Sequence, residues 1–509
     1  MKMNLLCLLA LTLATSTGYP QTLAERSQAR AREVLDSAVA AIGGAEALQS
    51  VEAVKLQLQG EIWPRLQMPT PDPPFESASF DESLLLDLKN NRLSLEQRNR
   101  GAGFEGHNRT VIKGGEGVNY DLRARIATPI PAALTSQQQF IQYYRRLPNL
   151  ILGQALSRAS TLRHLGEDAI DGRNHNVITF VMPDAQQVAL YIDAKSGLLS
   201  KYELIYTDPL TGEDASEIMF SDYAAVGALK VPQTWSWRQA GDTVAKYKIR
   251  AEFNPPVTDE AFNLDAAGFR KVAPAPPSPE PSVEKLADGV FVIHNVAGPN
   301  QNTLAVGFKD YVLAVEAPGN SAGTEEVIKR IKEVIPGKPI RYIAMTHHHG
   351  DHIGGLRSFI AEGATVVTTR ANQKLVETVA SAKQADRLAR TPRKPQFEFL
   401  ESSGKRVFSD GDQTIELINI GPHPHAKEMV IAYLPKHRVV YQGDLFFVPN
   451  NDAPFGPPQA STIAFAEKLR QLGLAVDKIA SVHGRTATMD QFNEALRAQT
   501  GTSSSSPDR

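Results

Sequence analysis

The sequence predicts an α/β protein in which an α+β, mainly antiparallel-sheet region precedes a layered region of strands and helices. Three observations predict it. After one helical stretch, apolar residues in the first half recur with period two; strand-like runs in the second half interleave with helical ones; a proline-dense segment separates the halves. At 509 residues the chain is too long for one ordinary core. A hydrophobic content of 42% and a charged content of 22% describe a globular chain, and a formal net charge of -2 gives no electrostatic reason to expect nucleic acid or an anionic membrane as partner.

The N-terminus reads as a secretory signal over residues 1–20. Lys2 precedes an apolar run at 5–13, followed by the small and polar stretch 14–18. The run is too short to span a bilayer, and no later segment approaches the roughly 18 apolar residues a spanning helix needs. The expected destination is the periplasm or the medium. The single cysteine, Cys7, lies inside the run, so cleavage would leave no thiol for a disulfide, a metal or a nucleophile.

The first folded region is expected over 24–268. Val34, Leu35, Ala38 and Ile42 recur at helical spacing, and Gly43 and Gly44 supply the stop. Period two then takes over: Leu84, Leu86 and Leu88 alternate with Leu85, Asp87 and Lys89, and strand patterns follow at 176–182 and 188–193. Turn signals at 193–197 and 208–213 join further strands, ending at 230–232 and 235–237. The helix-glycine opening with Ala45, Glu46, Ala47 and Leu48, and the element Tyr191-Ile192-Asp193 before Gly197 and Leu198, resemble the half-barrel domains of bacterial periplasmic lipoprotein carriers. Its three histidines, His107, His164 and His175, are isolated and read as surface or core residues.

Residues 269–282 form the expected spacer, with five prolines between 271 and 282 and the extended backbone that proline favours. Residues 283–500 form the second region, and 501–509, with four consecutive serines, a disordered tail. Strand-like runs at 290–293, 304–308 and 311–315 precede a helical pattern at 324–334, then a strand at 340–345 and a helix near Gly354. Nine of the twelve histidines fall in this half.

The strand at 340–345 delivers the run Thr346-His347-His348-His349-Gly350-Asp351-His352-Ile353-Gly354-Gly355. Imidazole nitrogen and carboxylate oxygen are ligands that Zn²⁺ and its borderline neighbours accept. On an extended segment His347, His349 and Asp351, spaced by two, project to one side, and a helix starting at Ile353 brings His352 round to join them. Gly350, Gly354 and Gly355 allow close approach in the turn. Four ligands in six residues can hardly all reach one tetrahedral ion, which points to two ions sharing the segment. His348 faces the other way, toward packing or toward a supporting contact behind the ligands.

The His-x-His-x-Asp-His run after an apolar strand is similar to the signature of the metallo-β-lactamase-fold hydrolases. The resemblance implies an αββα sandwich over 283–500, and further positions follow in order. A loop after the strand at 414–420 offers His425, with His423 as competitor, for a ligand histidine. Asp444, after Gly443 at the end of 438–442, corresponds to the aspartate that bridges both metals, and His483, before Gly484, corresponds to the last ligand. The resemblance thus implies two divalent ions, Zn²⁺ first among them, with His347, His349 and His425 on one, Asp351, His352 and His483 on the other, and Asp444 between. It implies catalysis by a metal-bridging hydroxide that Asp351 orients. Glu316 stands where many members carry an aspartate and is expected to hold the metal loop by hydrogen bonds; His294 and His437 read as structural.

Members of this family hydrolyse many substrates. True β-lactamases usually carry cysteine or serine at the position of Asp444, which demotes antibiotic hydrolysis, and the balanced charge demotes a nuclease. Loops at 296–303 and 446–459, the latter with Phe446, Phe447 and Phe455, are expected to give a partly apolar mouth for a small ester, lactone or related small-molecule substrate. The competing reading is a non-catalytic binding or carrier protein for an apolar ligand. Iron or manganese would suit the same donors, and the oligomeric state has no signal in the sequence.

Overall fold

The computed structural model describes residues 21–63, 66–72, 75–101, 104–132, 135, 138–208, 210–273, 280–448 and 454–498. The expected signal at 1–20, the tail at 501–509 and the middle of the spacer at 274–279 lie outside the described residues.

The first region is a helix laid on a 14-stranded sheet. The helix Leu23–Ala41 starts at a capping box in which the Thr22 side chain and Glu25 serve each other's backbone amides. It buries Ala31, Val34, Leu35, Ala38 and Val39, the face its spacing foretold, against Ile178, Leu190 and Leu199 of the sheet. Successive antiparallel strands run outward from Ala53–Ile62 to Ile126–Pro129. A second antiparallel series from Arg163–Ile170 returns until Asp242–Phe253 pairs with Ala53–Ile62, Val54 opposite Phe253. In Ala78–Asp87 the alternating leucines Leu84 and Leu86 are buried, while Leu88 falls just past the strand end. The ends of the expected spacer are not free: Arg270–Lys271 pairs in parallel with Ile126 and Ala127, and Ser282 opens the next sheet.

The second region holds two facing sheets. Seven strands run in chain order from Ser282–Ala287 to Gln396–Leu400, and six from Lys405–Ser409 to Ala487–Thr488. Leu304, Val306, Leu313 and Val315 of one sheet meet Leu417, Ala432, Tyr441 and Ala480 of the other in a shared core. The helices Ser321–Val334, Leu356–Glu362 and Gln373–Ser381 cover the outer face of the first sheet, and Ala460–Leu472 and Met489–Arg497 that of the second. This is the αββα layering expected. Its strands read as apolar runs because both of their faces are covered.

Candidate metal centre

The strands Ile340–Ala344, Val439–Gln442 and Lys478–Ser481, with the loop after Thr414–Asn419, deliver their following residues to one edge of the sandwich. There the donor atoms of His347, His349, His425 and Asp444 lie within 4.8 Å of one another, as do those of Asp351, His352, Asp444 and His483. All seven sequence-derived positions are brought together. Asp444 belongs to both groups: its Oδ2 is 3.4 Å from His425 Nε2, and its Oδ1 is 3.2 Å from His352 Nε2 and 3.5 Å from His483 Nε2.

The metal loop does not follow the expected backbone throughout. Its extended run ends at His349, and a short helix, Gly350–Ile353, begins three residues earlier than the sequence implied. Asp351 therefore leaves the line of His347 and His349 and turns, with His352, toward His483; His483 Nε2 stands 3.2 Å from Asp351 Oδ2. Helical rotation of about 100° per residue, in place of strand alternation, is the physical reason. Two of the three glycines are needed for close approach. A Cβ on Gly354 would sit 1.9 Å from the Gly319 carbonyl oxygen, and one on Gly355 1.7 Å from Thr324 Oγ1. At Gly350 the nearest atom would be 3.4 Å away, an ordinary contact.

Partners behind each ring set which nitrogen faces the centre. Glu316, fully buried, accepts from the Thr346 amide at 2.8 Å and lies 2.7 Å from His352 Nδ1, which leaves His352 Nε2 facing Asp444. This is the holding role expected of Glu316. It adopts φ +76°, a left-handed conformation that a non-glycine residue keeps only when its surroundings impose it. The Asn300 carbonyl takes His483 Nδ1 at 2.7 Å, and Thr346 Oγ1 lies 3.0 Å from His347 Nδ1. His423 is engaged elsewhere: its Nε2 donates to the Ser461 carbonyl at 3.0 Å and its Nδ1 accepts from the His425 amide. His425 Nε2 instead lies 3.1 Å from His347 Nε2. His294 sits between Asn302 and Glu284, and His437 against Gln413.

The electrostatics separate the groups. Burial, reinforced by neighbouring imidazoles, holds His347 and His349 well below the usual histidine range, so both are neutral donors. Burial also pushes His348 and His423 down to about 4. At His352 burial acts downward too, but Asp444, Glu316 and Asp351 outweigh it and raise the ring. His483 is raised by Asp351 and Asp444 against the same burial. Asp351 and Asp444 stay ionised, because the facing histidines overcome the cost of burying them.

These donors fit divalent ions. His349 Nδ1, His352 Nε2 and Asp444 Oδ1 are buried without a hydrogen-bond partner, and all three belong to the two groups. An unsatisfied buried polar atom costs about 1–3 kcal/mol, and an ion in each group would satisfy all three, His349 in one group, His352 in the other and Asp444 in both. A dication is the partner whose chemistry suits imidazole and carboxylate together.

Sequence reasoning missed the contribution of the first region. Gln67 Nε2 donates to Asp351 Oδ1 at 2.5 Å, the Met68 carbonyl accepts from both His348 and His349, and the Phe104 ring stands edge-on to His425 with centroids 5.2 Å apart. A cleft of 350 Å³ opens beside the centre, lined by Phe104, Arg123 and Ile126 from the first region and Phe446, Phe447 and Phe455 from the second. Phe447 lies 6.0 Å from Phe104 and 5.8 Å from His483 between ring centroids. The loop at 446–459 thus flanks the donors as expected, though residues 449–453 lie outside the described residues.

Layering and donor set define a binuclear metallohydrolase type of centre. Residues 318–485 match the family model of the metallo-beta-lactamase superfamily. Among solved structures, a metallo-beta-lactamase from Pontibacter korlensis is 19% identical, covers 43% of this chain and 97% of its own, and has a TM-score of 0.33. One from Hirschia baltica has the same identity and coverages with a TM-score of 0.31, and one from Pseudomonas aeruginosa, in its mono-zinc form, is 18% identical at 44% and 96% coverage with a TM-score of 0.32. The C-terminal region is therefore similar in sequence pattern to this superfamily and carries the chemistry of a metal-dependent hydrolase. The family match lies wholly in the second region and lends the carrier resemblance of the first no support. Among the described residues no helix is long and apolar enough to cross a membrane.

Proposed function

We propose that the protein is an exported binuclear hydrolase that cleaves a small ester, lactone or related substrate with an apolar body. The observation that carries this is the pair of donor groups sharing Asp444, with three buried ligand atoms left without hydrogen bonds. His347, His349 and His425 would hold one ion, Asp351, His352 and His483 the other, with Asp444 available to both. Zn²⁺ suits this set. When bound, such ions make water a nucleophile near neutral pH and polarise the scissile oxygen.

The chain's own groups supply the rest. Glu316 and the Asn300 carbonyl fix the rings of His352 and His483. Asp351 stays ionised and keeps Oδ2 toward the centre, where it can take up a proton and pass it to the leaving group. Phe104 and Phe447 stand over the donors and exclude water from that side, and the aromatic cleft takes the apolar part of the substrate. The balanced charge supports a small molecule over a polyanion. Export is inferred from the apolar N-terminal run alone.

Elemental analysis of the purified protein, paired with aryl and alkyl esters, lactones, thioesters, phosphodiesters, sulfate esters and a chromogenic cephalosporin, tests the reading. Near two metals per chain with turnover of an ester or lactone is expected. Metal with turnover only in another class corrects the substrate. No metal and no activity after added Zn²⁺ overturns the enzyme and favours the apolar-ligand carrier.

A further inference from the structure

We propose that residues 66–68 of the first region are a clamp on the metal loop, with Gln67 as its positioning side chain, so that the two regions form one catalytic unit. This rests on the binuclear reading above. Three consecutive residues grip three different parts of the loop. The Leu66 carbonyl accepts from the Gly350 amide at 2.9 Å, Gln67 Nε2 donates to Asp351 Oδ1 at 2.5 Å, and the buried Met68 carbonyl accepts from His349 Nε2 at 3.0 Å and His348 Nε2 at 2.7 Å.

The chemistry of each contact fixes an orientation. A carbonyl oxygen only accepts, so His349 must carry its proton on Nε2; its lone pair then lies on Nδ1, the buried atom that has no hydrogen-bond partner. The backbone of the first region thereby selects the tautomer that leaves Nδ1 free for a metal. Likewise a side-chain amide nitrogen only donates, so Gln67 occupies Oδ1 of Asp351 and leaves Oδ2 toward His483 and His352, at 3.2 and 3.6 Å. The clamp touches one proposed ligand of each ion. It is anchored in turn: the Pro69 carbonyl accepts from the Lys427 amide at 2.7 Å, two residues beyond His425, and Pro69 and Pro71 restrict the backbone around it.

The test uses the full chain loaded with Zn²⁺ and a chromogenic chelator to titrate the ions away, with kcat and KM on whichever substrate the panel yields. Gln67→Ala is expected to weaken the ion that Asp351 would hold by about 10–100-fold and to lower kcat with little change in KM, as removal of a group that orients a ligand does. Gln67→Asn, which keeps the amide on a shorter stem, should fall between. Lys374→Ala, which breaks the exposed ion pair of Lys374 with Asp72 at 3.2 Å in the same segment, should change Zn²⁺ affinity by less than about twofold. Wild-type affinity and kcat in Gln67→Ala would overturn the clamp. So would equal losses in Gln67→Ala and Lys374→Ala accompanied by equal drops in melting temperature, since the segment would then merely glue the regions together. Wild-type protein that takes up no Zn²⁺ overturns the binuclear reading itself, and the clamp with it.

Discussion

His175 in the large sheet and His352 in the sandwich are both fully buried, yet they are built for opposite ends. Both nitrogens of His175 are engaged, Nδ1 by the Arg173 carbonyl at 2.8 Å and Nε2 by Ser200 Oγ at 2.9 Å. His352 has one nitrogen against Glu316 and the other without a hydrogen bond, facing Asp444. Burial of a histidine therefore does not mark a ligand. A buried nitrogen left without a hydrogen bond among converging imidazole and carboxylate donors does, because that donor set suits a shared ion.

The comparison can be broken most severely at the shared carboxylate. Asp444→Asn should reduce bound metal from two ions to at most one per chain, and turnover by more than the roughly 10–100-fold that outer-shell changes cost. Elemental analysis and kinetics check this. Two ions retained with unchanged turnover would mean that Asp444 is only another satisfied buried group.

The sandwich also contains a closed polar set, which separates stability from metal binding. Arg357 Nε lies 2.5 Å from Asp386 Oδ2 and its Nη2 3.1 Å from Oδ1, both side chains nearly fully buried. Asp386→Asn should cost about 3–5 kcal/mol in urea unfolding, as breaking a buried pair does, with metal stoichiometry unchanged in the folded protein. Burial alone would raise the Asp386 carboxyl, but Arg357 and the Ala389 amide win and hold it below its ordinary 3.8. A carboxyl lowered on folding contributes its full stability above the unfolded value and loses it as pH falls through the folded one. The wild type should thus lose this increment below about pH 4, and the Asn variant should show a flatter profile there.

Smaller effects sharpen the contrast. His175→Ala strands the Ser200 hydroxyl and should cost about 1–3 kcal/mol without touching metal content. His423→Gln, which can keep the bond to the Ser461 carbonyl, should cost about 1 kcal/mol and retain both ions. A lost ion in either variant, measured by chelator titration, would erase the distinction between engaged and open histidines.

Much of the second region was legible. Its apolar runs and the helical pattern at 324–334, within the observed helix Ser321–Val334, follow from periodicity, and the histidine run stood at a strand end where local pattern could find it, whereas Asp444 and His483 were placed by the family resemblance. The start of the metal-loop helix was not legible. Nothing in Gly350-Asp351-His352-Ile353 distinguishes one helical turn from an extended segment, and the contact that holds its first residue, the Leu66 carbonyl on the Gly350 amide, comes from far away in the chain. Nor was it legible that His423 turns to the Ser461 carbonyl, on a helix that the loop sequence does not mention, while His425 joins the donor group of His347, His349 and Asp444.

The sequence by itself determined the element types and the histidine run at 347–352, because period, turn chemistry and ligand type are local properties that a short window encodes; the αββα layering and the donors beyond that run came from the family resemblance, with His423 and His425 left open. Only the tertiary structure decided which nitrogen of each histidine is open, where Asp351 points, and that Gln67, Met68 and Phe104 of the first region stand at the centre of the second. Those facts depend on groups hundreds of residues apart meeting at hydrogen-bond distance. No pattern within either segment records that meeting; the packing of one region on the other creates it.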